Sequence, residues 1–544
     1  MRVVDSISSK PIDLPKTTRA RDIRAITSCR AGKLVPHYMK MLLREDRVSR
    51  CDLTMTFDMS ETVRPLMNAV AVKVMAHFVP FTAFARFPGV DGLNKSYQKL
   101  KDRVADAAPI PFFNTIAFDR TAPFWKSLGE HAPQGALVND QYVEAYNVLV
   151  NWLREMRSKQ LAARLLNDTS LAQAFWNHPF MYHIKPDFDQ AMLDGEVALT
   201  LTGRAAVSGI GVATANTVVP SGPAAGTGDT FADPASYPLS LATAAAGAIT
   251  LRVTGATAAA ARADVWAELS GGTANGKVSL ANIEMAKQTA AFAKLREQYK
   301  GRDDEDIIDL LMQGIRVPDE DLRQPILLAS ETTIFGYDEN FATDGPNLSK
   351  SVTRGRTVVN LKFRTPEMNT GGVIVITSQI VPEQLFERME NPDLFVVDPA
   401  LLPDALADYL DPEKVEVVQN RFVDVLHATP AGTFGYAPLN HKWKGSDMRV
   451  GGKFYRPVPD AFVEDRQRFW SVETPNPALN SAFYLVPTDL PHSVFADTLA
   501  DCFEVTTIGT LQIVGLTQFG QVFEENDGNY AAVAAEVNPT RIVQ

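Results

Sequence analysis

Within the stretch from Phe57 to Phe87 the apolar side chains fall on alternate positions: Val70, Val72, Val74, Ala76 and Phe78 share one side, while Lys73 and His77 are on the other. A two-residue period describes an extended strand with one face in a core. Strand-like runs return late in the chain at Val358 to Phe363, Val373 to Val381 and Thr506 to Phe519, separated by loops that carry Pro and Gly. With 34 Pro and 33 Gly spread over 544 residues, few long helical patterns survive. Strands at both ends with helices and long loops between them predict a mainly β protein, a sandwich with elongated connections and a few short helices.

The period lengthens from Tyr142 to Leu153, where Tyr142, Ala145, Tyr146, Leu149, Trp152 and Leu153 share a helix face. Helices are also expected from Leu280 to Tyr299 and from Glu305 to Gln313, before Gly314 and Pro318 stop the pattern. Residues 195–275 differ in composition, being dominated by Ala, Gly, Thr, Ser and Val, and Val197 to Leu201 and Ile249 to Val253 have strand character. They predict a β-rich insertion, either a surface feature or a compact subdomain needed for folding. There is no tandem repeat and no coiled-coil heptad.

The net charge of -11 is unevenly distributed: residues 1–50 hold 12 Lys or Arg against 5 Asp or Glu, which is +7 and leaves -18 for the remainder. Pro11, Pro15 and the basic segment from Lys16 to Arg30 suggest an extended arm, followed by a short amphipathic helix from Tyr38 to Leu43. Such an end suits a phosphate-rich partner, although a solvated arm would carry the same charge. Cys29, Cys51 and Cys502 are an odd number without metal-ligand spacing and predict free thiols in or near the core. No apolar stretch has the length of a membrane span, and the opening residues lack the apolar run of a signal peptide, so a cytoplasmic place of synthesis and no membrane insertion are expected.

Chemistry-bearing motifs are sparse. Gly209-Ile210-Gly211-Val212-Ala213-Thr214 resembles part of a dinucleotide fingerprint but has Thr214 at its third small position and no βαβ context. Asp303 to Asp306 precede an apolar helical stretch, where carboxylates complement the helix dipole, and they lack the turn Gly and spaced ligands of a calcium loop. The eight histidines are scattered, and no G-x-S-x-G elbow occurs. No catalytic residue, cofactor or metal site is assigned, and no enzyme activity is expected. Aromatic residues on loops, Trp443 among them, are core fillers or anchors of subunit contacts.

Several segments in order carry a family likeness. They are Asn68 to Phe87 with His77-Phe78-Val79-Pro80, the Tyr146-Asn147 helix, Val265 to Ser270 running into the helix near Tyr299, and Gly314 to Pro325. Phe363 to Glu367 with Gly371-Gly372 follows, then Phe434-Gly435-Tyr436-Ala437-Pro438 with Trp443-Lys444 and Met448-Arg449-Val450-Gly451-Gly452-Lys453-Phe454, then Pro477 to Phe483, and last the strand around Cys502 to Ile513. Together they resemble major capsid proteins of the Microviridae, especially the gokushovirus-like branch and its phiX-like relatives, from about residue 55 to residue 520. Met368 stands where that family has His, and Ile326-Leu327-Leu328 replace its acidic and aromatic residues.

The resemblance implies an eight-stranded antiparallel jelly roll and self-assembly into a T=1 icosahedral shell around a circular single-stranded DNA genome, in a virion assembled in a bacterial cytoplasm. Its expected partners are further copies of the chain, the genome, scaffolding and pilot proteins and a host receptor. On that reading 1–50 is an interior arm whose Lys16, Arg19, Arg21, Arg24 and Arg30 face the nucleic acid, and 51–194 and 276–544 form the core. Residues 195–275 would be a surface protrusion that meets the host, and Phe434, Gly435, Tyr436, Pro438 and Trp443 an assembly motif. The alternative is a β-rich receptor- or carbohydrate-binding phage component; a polysaccharide-acting enzyme is disfavoured because no paired-carboxylate motif stands out.

Overall fold

A computed structural model of the chain describes residues 14–97, 110–178, 181–187, 203–206, 266–269, 323–341, 351–366, 368, 370–399, 402–410, 415–444, 448–458, 463, 465–470 and 476–519. The chain divides into two compact units, one made of Met1–Phe188 with Gln298–Gln544 and the other of Asp189–Glu297. In the second unit, Gly203–Ala206 pairs antiparallel with Trp266–Leu269. The strands expected at Val197 to Leu201 and Ile249 to Val253, and the helices expected at Leu280 to Tyr299 and Glu305 to Gln313, lie outside the described residues.

The first unit is mainly β. Its long strands are β1 (Thr17–Cys29), β2 (Lys33–Leu42), β3 (Arg47–Thr62), β4 (Val70–Pro80), β5 (Ile326–Ile334), β6 (Gly336–Phe341), β7 (Ser351–Phe363) and β8 (Gly372–Pro382). A hairpin of β9 (Val415–Gln419) and β10 (Thr433–Pro438) follows, and then β11 (Phe503–Gly515). One antiparallel sheet has the order β1-β11-β3-β7-β6; the second has the order β5-β4-β8-β2, with Ala172–Gln173 at its edge. Met55 and Phe57 of β3, Leu361 of β7 and Val505 of β11 share one core with Val72 and Val74 of β4 and Ile376 of β8. This is the arrangement of a β-sandwich, and each such side chain contributes roughly 1.5–3 kcal/mol by leaving water.

The second sheet is also covered on its other side. Helices α1 (Gly89–Tyr97), α2 (Pro123–Leu128) and α3 (Gln141–Arg157) lie between β4 and β5 in the chain. Val143, Tyr146 and Leu149 of α3 and Phe124 and Trp125 of α2 pack with Met75, Val79 and Val375 of the sheet. Every residue of β8 is therefore buried, which explains its unbroken apolar run Val373-Ile374-Val375-Ile376. The face of β4 expected to be polar is closed too: His77 is buried and meets the edge of Trp152 at 6.0 Å. Tyr146 joins the layers, because its hydroxyl donates to the Leu34 carbonyl at 2.6 Å and accepts from the Ala172 amide at 2.8 Å. Tyr146→Phe strands both groups in a dry site and should destabilise the protein by about 1–3 kcal/mol in urea unfolding.

Residues 17–50 are not an arm. They form β1, β2 and the start of β3, and the helix expected from Tyr38 to Leu43 is the second half of β2 and its end. Two features hide these strands from a periodicity reading. β1 lies at a sheet edge, where only Ile23 and Cys29 are fully buried, so charged residues stand on both of its faces. In β2 the register slips beside Pro36, with Ile376 opposite Tyr38 and Thr377 opposite Pro36, and the alternation breaks. Residues 1–13 of the expected arm lie outside the described residues.

Candidate nucleic-acid and subunit contacts

The five basic residues expected to face nucleic acid do not form one patch. Arg19 makes an ion pair with buried Asp46 and donates to Thr517 Oγ1 at 2.9 Å, closing the β2–β3 turn against the end of β11. Arg30 donates to the carbonyls of Thr498 and Leu499 at 3.0 and 3.1 Å. Lys16, Arg21 and Arg24 are exposed, but Arg21 shares the parity of inward-facing Ile23 and Arg24 has the opposite one. Residues adjacent in sequence are thus split between two faces by the strand period.

The motif from Phe434 to Pro438 is β10. Phe434 and Ala437 are buried in a separate cluster with Met181, Ile184, Phe422 and Phe483. Gly435 is needed because a Cβ there would lie 2.7 Å from the Lys185 carbonyl oxygen, 2.7 Å from Leu479 Cδ1 and 2.8 Å from Ile184 Cγ2. That close approach lets Tyr436 and Lys185 exchange two backbone hydrogen bonds of 2.8 Å. Tyr436 is half-buried and Pro438 exposed.

After β10, Asn440 takes a left-handed conformation and starts the tight turn His441–Trp443. His441 is buried, with Nδ1 2.5 Å from Glu416 Oε1, and that same oxygen accepts from the His441 amide at 3.0 Å. Burial alone would raise the Glu416 carboxyl, but hydrogen bonds and charge from His441 hold it below its ordinary value. The His183 ring lies 5.5 Å from that of His441, and its pKa is depressed by burial and then by His441, Lys444 and Lys185. Lys442 Nζ stands 5.8 Å from the centre of the half-buried Trp443 ring. Lys442 thus stands over an indole while Lys185 and Lys444 lie near enough to His183 to depress it, so cations and an aromatic ring, the groups that single-stranded nucleic acid uses, occur in the same two segments. The His441-Lys442-Trp443-Lys444 run carried this signal in the sequence; Lys185, brought in through Gly435, left no local trace.

All three cysteines are buried and unpaired. Burial pushes the Cys51 and Cys502 thiols up to about 12 and Cys29 higher still, so they are inert packing groups. Among the described residues no group of three or more His, Cys, Asp or Glu could hold a metal ion, and no helix is long and apolar enough to cross a membrane. Met368, at the position where the resembling family has His, is buried in the sandwich core. No protein-family model matches the chain, and no curated protein matches it.

Proposed function

We propose that the chain is a shell-forming structural subunit: a jelly roll of the microvirus capsid type that assembles with its own copies around single-stranded DNA. The strand order carries the reading. With β6 set aside as the hairpin partner of β7, the eight long sandwich strands, numbered along the chain, stand 1-8-3-6 in one sheet and 2-7-4-5 in the other. That order supports a reading as two interlocked Greek keys, an architecture used by viral capsid and lectin domains. The resemblance in residues 55–520 selects the capsid among those uses, and 195–275 is assigned the host contact. Negative-stain microscopy and sedimentation of the purified chain test the proposal. Uniform small shells are expected; a monomer that binds glycans would instead support a receptor-binding protein.

The genome contact belongs at Lys185, Lys442, Trp443 and Lys444, not at the first strand. Replacing the three lysines with Gln should lower affinity for oligo-dT and reduce the slope of log affinity against log salt by about 2, since each phosphate contact contributes about 0.7 on a single strand. An unchanged slope would place the nucleic acid elsewhere.

A further inference from the structure

β1 is an edge strand with one open side. It runs for 13 residues and pairs with β11 alone, and among the described residues its backbone amides and carbonyls on the side away from β11 make no hydrogen bond. Thr17–Cys29 holds no Pro and no Gly, and its register against β11 has no bulge. A long regular edge of this kind is a template for another strand unless its charges repel one. The face turned to solvent carries Thr18, Ala20, Asp22, Arg24, Ile26 and Ser28, all exposed, with Ile26 at 85%. Among the described residues Asp22 and Arg24 stand in no ion pair.

Parity and charge decide which strand fits this edge. A second copy of β1 extends the sheet, with core faces on the same side, only if it lies antiparallel about a two-fold axis perpendicular to the sheet, so that residues of equal parity face each other. The register that pairs the whole strand is centred on Ile23, with Thr17 opposite Cys29 of the second copy. That register sets Asp22 opposite Arg24 of the second copy, and Arg24 opposite its Asp22, while Ala20 and Ile26 meet in both directions. Arg21 falls opposite Ala25 and Arg19 opposite Thr27, so no like charges face each other. Moving the centre to Asp22 sets Asp22 against its own copy, and moving it to Arg24 does the same for Arg24. Arginines alone would make the edge repel its copy. The single acid, two residues from Arg24 on the same face, makes the fully overlapped register the attractive one.

We infer that β1 is a self-pairing edge: two copies of the chain join antiparallel along Thr17–Cys29 about a two-fold axis at Ile23, and their five-stranded sheets become one continuous sheet. Main-chain hydrogen bonds supply the affinity, and the reciprocal Asp22–Arg24 pairs set the register. Ile26 then packs beside Ala20 of the second copy instead of facing water. The pairing goes beyond the shell-forming reading and rests on the edge itself; in a shell it belongs at the two-fold axes, as a self-complementary contact.

Sedimentation velocity of the full chain over a concentration series, with circular dichroism of each variant as the control for folding, tests the pairing. D22R sets arginine against Arg24, and R24D sets aspartate against Asp22, twice in each pair of copies. Both side chains are exposed, so each variant should keep the wild-type spectrum while the concentration needed for association rises by about tenfold. An equimolar mixture of D22R and R24D chains, and the double variant D22R/R24D, should both return to the wild-type threshold, because opposite charges again face each other. Association of D22R or R24D at the wild-type threshold, or a loss that the mixture and the double variant do not restore, overturns the pairing while the shell-forming reading stands. Wild-type chain that stops at dimers, with this charge dependence, upholds the pairing and overturns the shell. Shells with the same charge dependence uphold both, and a wild-type chain that stays monomeric at every concentration overturns both.

Discussion

Truncating Arg388 to Ala should destabilise the protein by about 3–5 kcal/mol, the cost of leaving a buried carboxylate without its cation. Arg388 Nε and Nη2 each donate to one oxygen of Asp424 at 2.9 Å, and both side chains are almost fully buried. Oδ1 of Asp424 also accepts from the Leu426 amide, and the Val425 amide donates to the Arg388 carbonyl, both at 2.9 Å. The fork thus bolts the segment that leaves β8 to the turn after β9, next to the cluster of Phe386, Phe422 and Phe434. Arg388→Lys keeps the charge but loses the planar pair of bonds, so its stability should fall between wild type and Arg388→Ala. Urea unfolding of the purified chain measures the ranking. A loss of less than 1 kcal/mol for the Ala variant would mean that Asp424 reaches water or another cation.

How much of this was legible in the sequence depended on whether an element keeps one periodicity. β4 was readable because Val70, Val72, Val74, Ala76 and Phe78 all enter one core, and α3 because its apolar face meets a single sheet. β8 was readable for the opposite reason, an apolar run that a doubly covered strand requires. β1 was not, since an edge strand buries too few side chains to show a period, and its arginines looked like a solvated arm. Charge composition alone could not tell Arg19, held by buried Asp46, from Arg24 on the open face. The glycine of Phe434-Gly435-Tyr436 was noticed as part of a family-like motif, but its physical reason is Lys185, 250 positions earlier, and nothing local announces so distant a neighbour.

Acidification from pH 7 to pH 5 should cost the folded chain about 4 kcal/mol of stability, through histidines that the fold keeps neutral. Burial lowers the pKa of His37 to about 3 and, helped by Lys73, that of His77 to about 4. His178 is also lowered to about 4 by burial, with Arg157 adding to the fall and its bond to the Phe483 carbonyl opposing it. In the unfolded chain these rings titrate near 6.5, so below that pH the unfolded state binds more protons. Their contribution is complete above about 6.5 and is lost as pH falls toward the folded values. The loss is about 1.4 kcal/mol per unit for each ring, or roughly 6 kcal/mol for three at pH 5. Glu144 works the other way. Burial raises it to about 7 against the pull of Arg86, so its folded form takes up a proton first and returns roughly 2 kcal/mol over the same interval. His183 and His492, both lowered chiefly by burial, add to the loss. His77→Gln should flatten the dependence, and Glu144→Gln should steepen it by removing the compensating group. Urea unfolding at pH 7, 6 and 5 reads all three slopes. Stability that holds or rises on acidification of the wild type would mean that His37 against Phe57, His77 beneath Trp152 of α3 and His178 beside Phe483 are not sealed, and that water reaches them in the native chain.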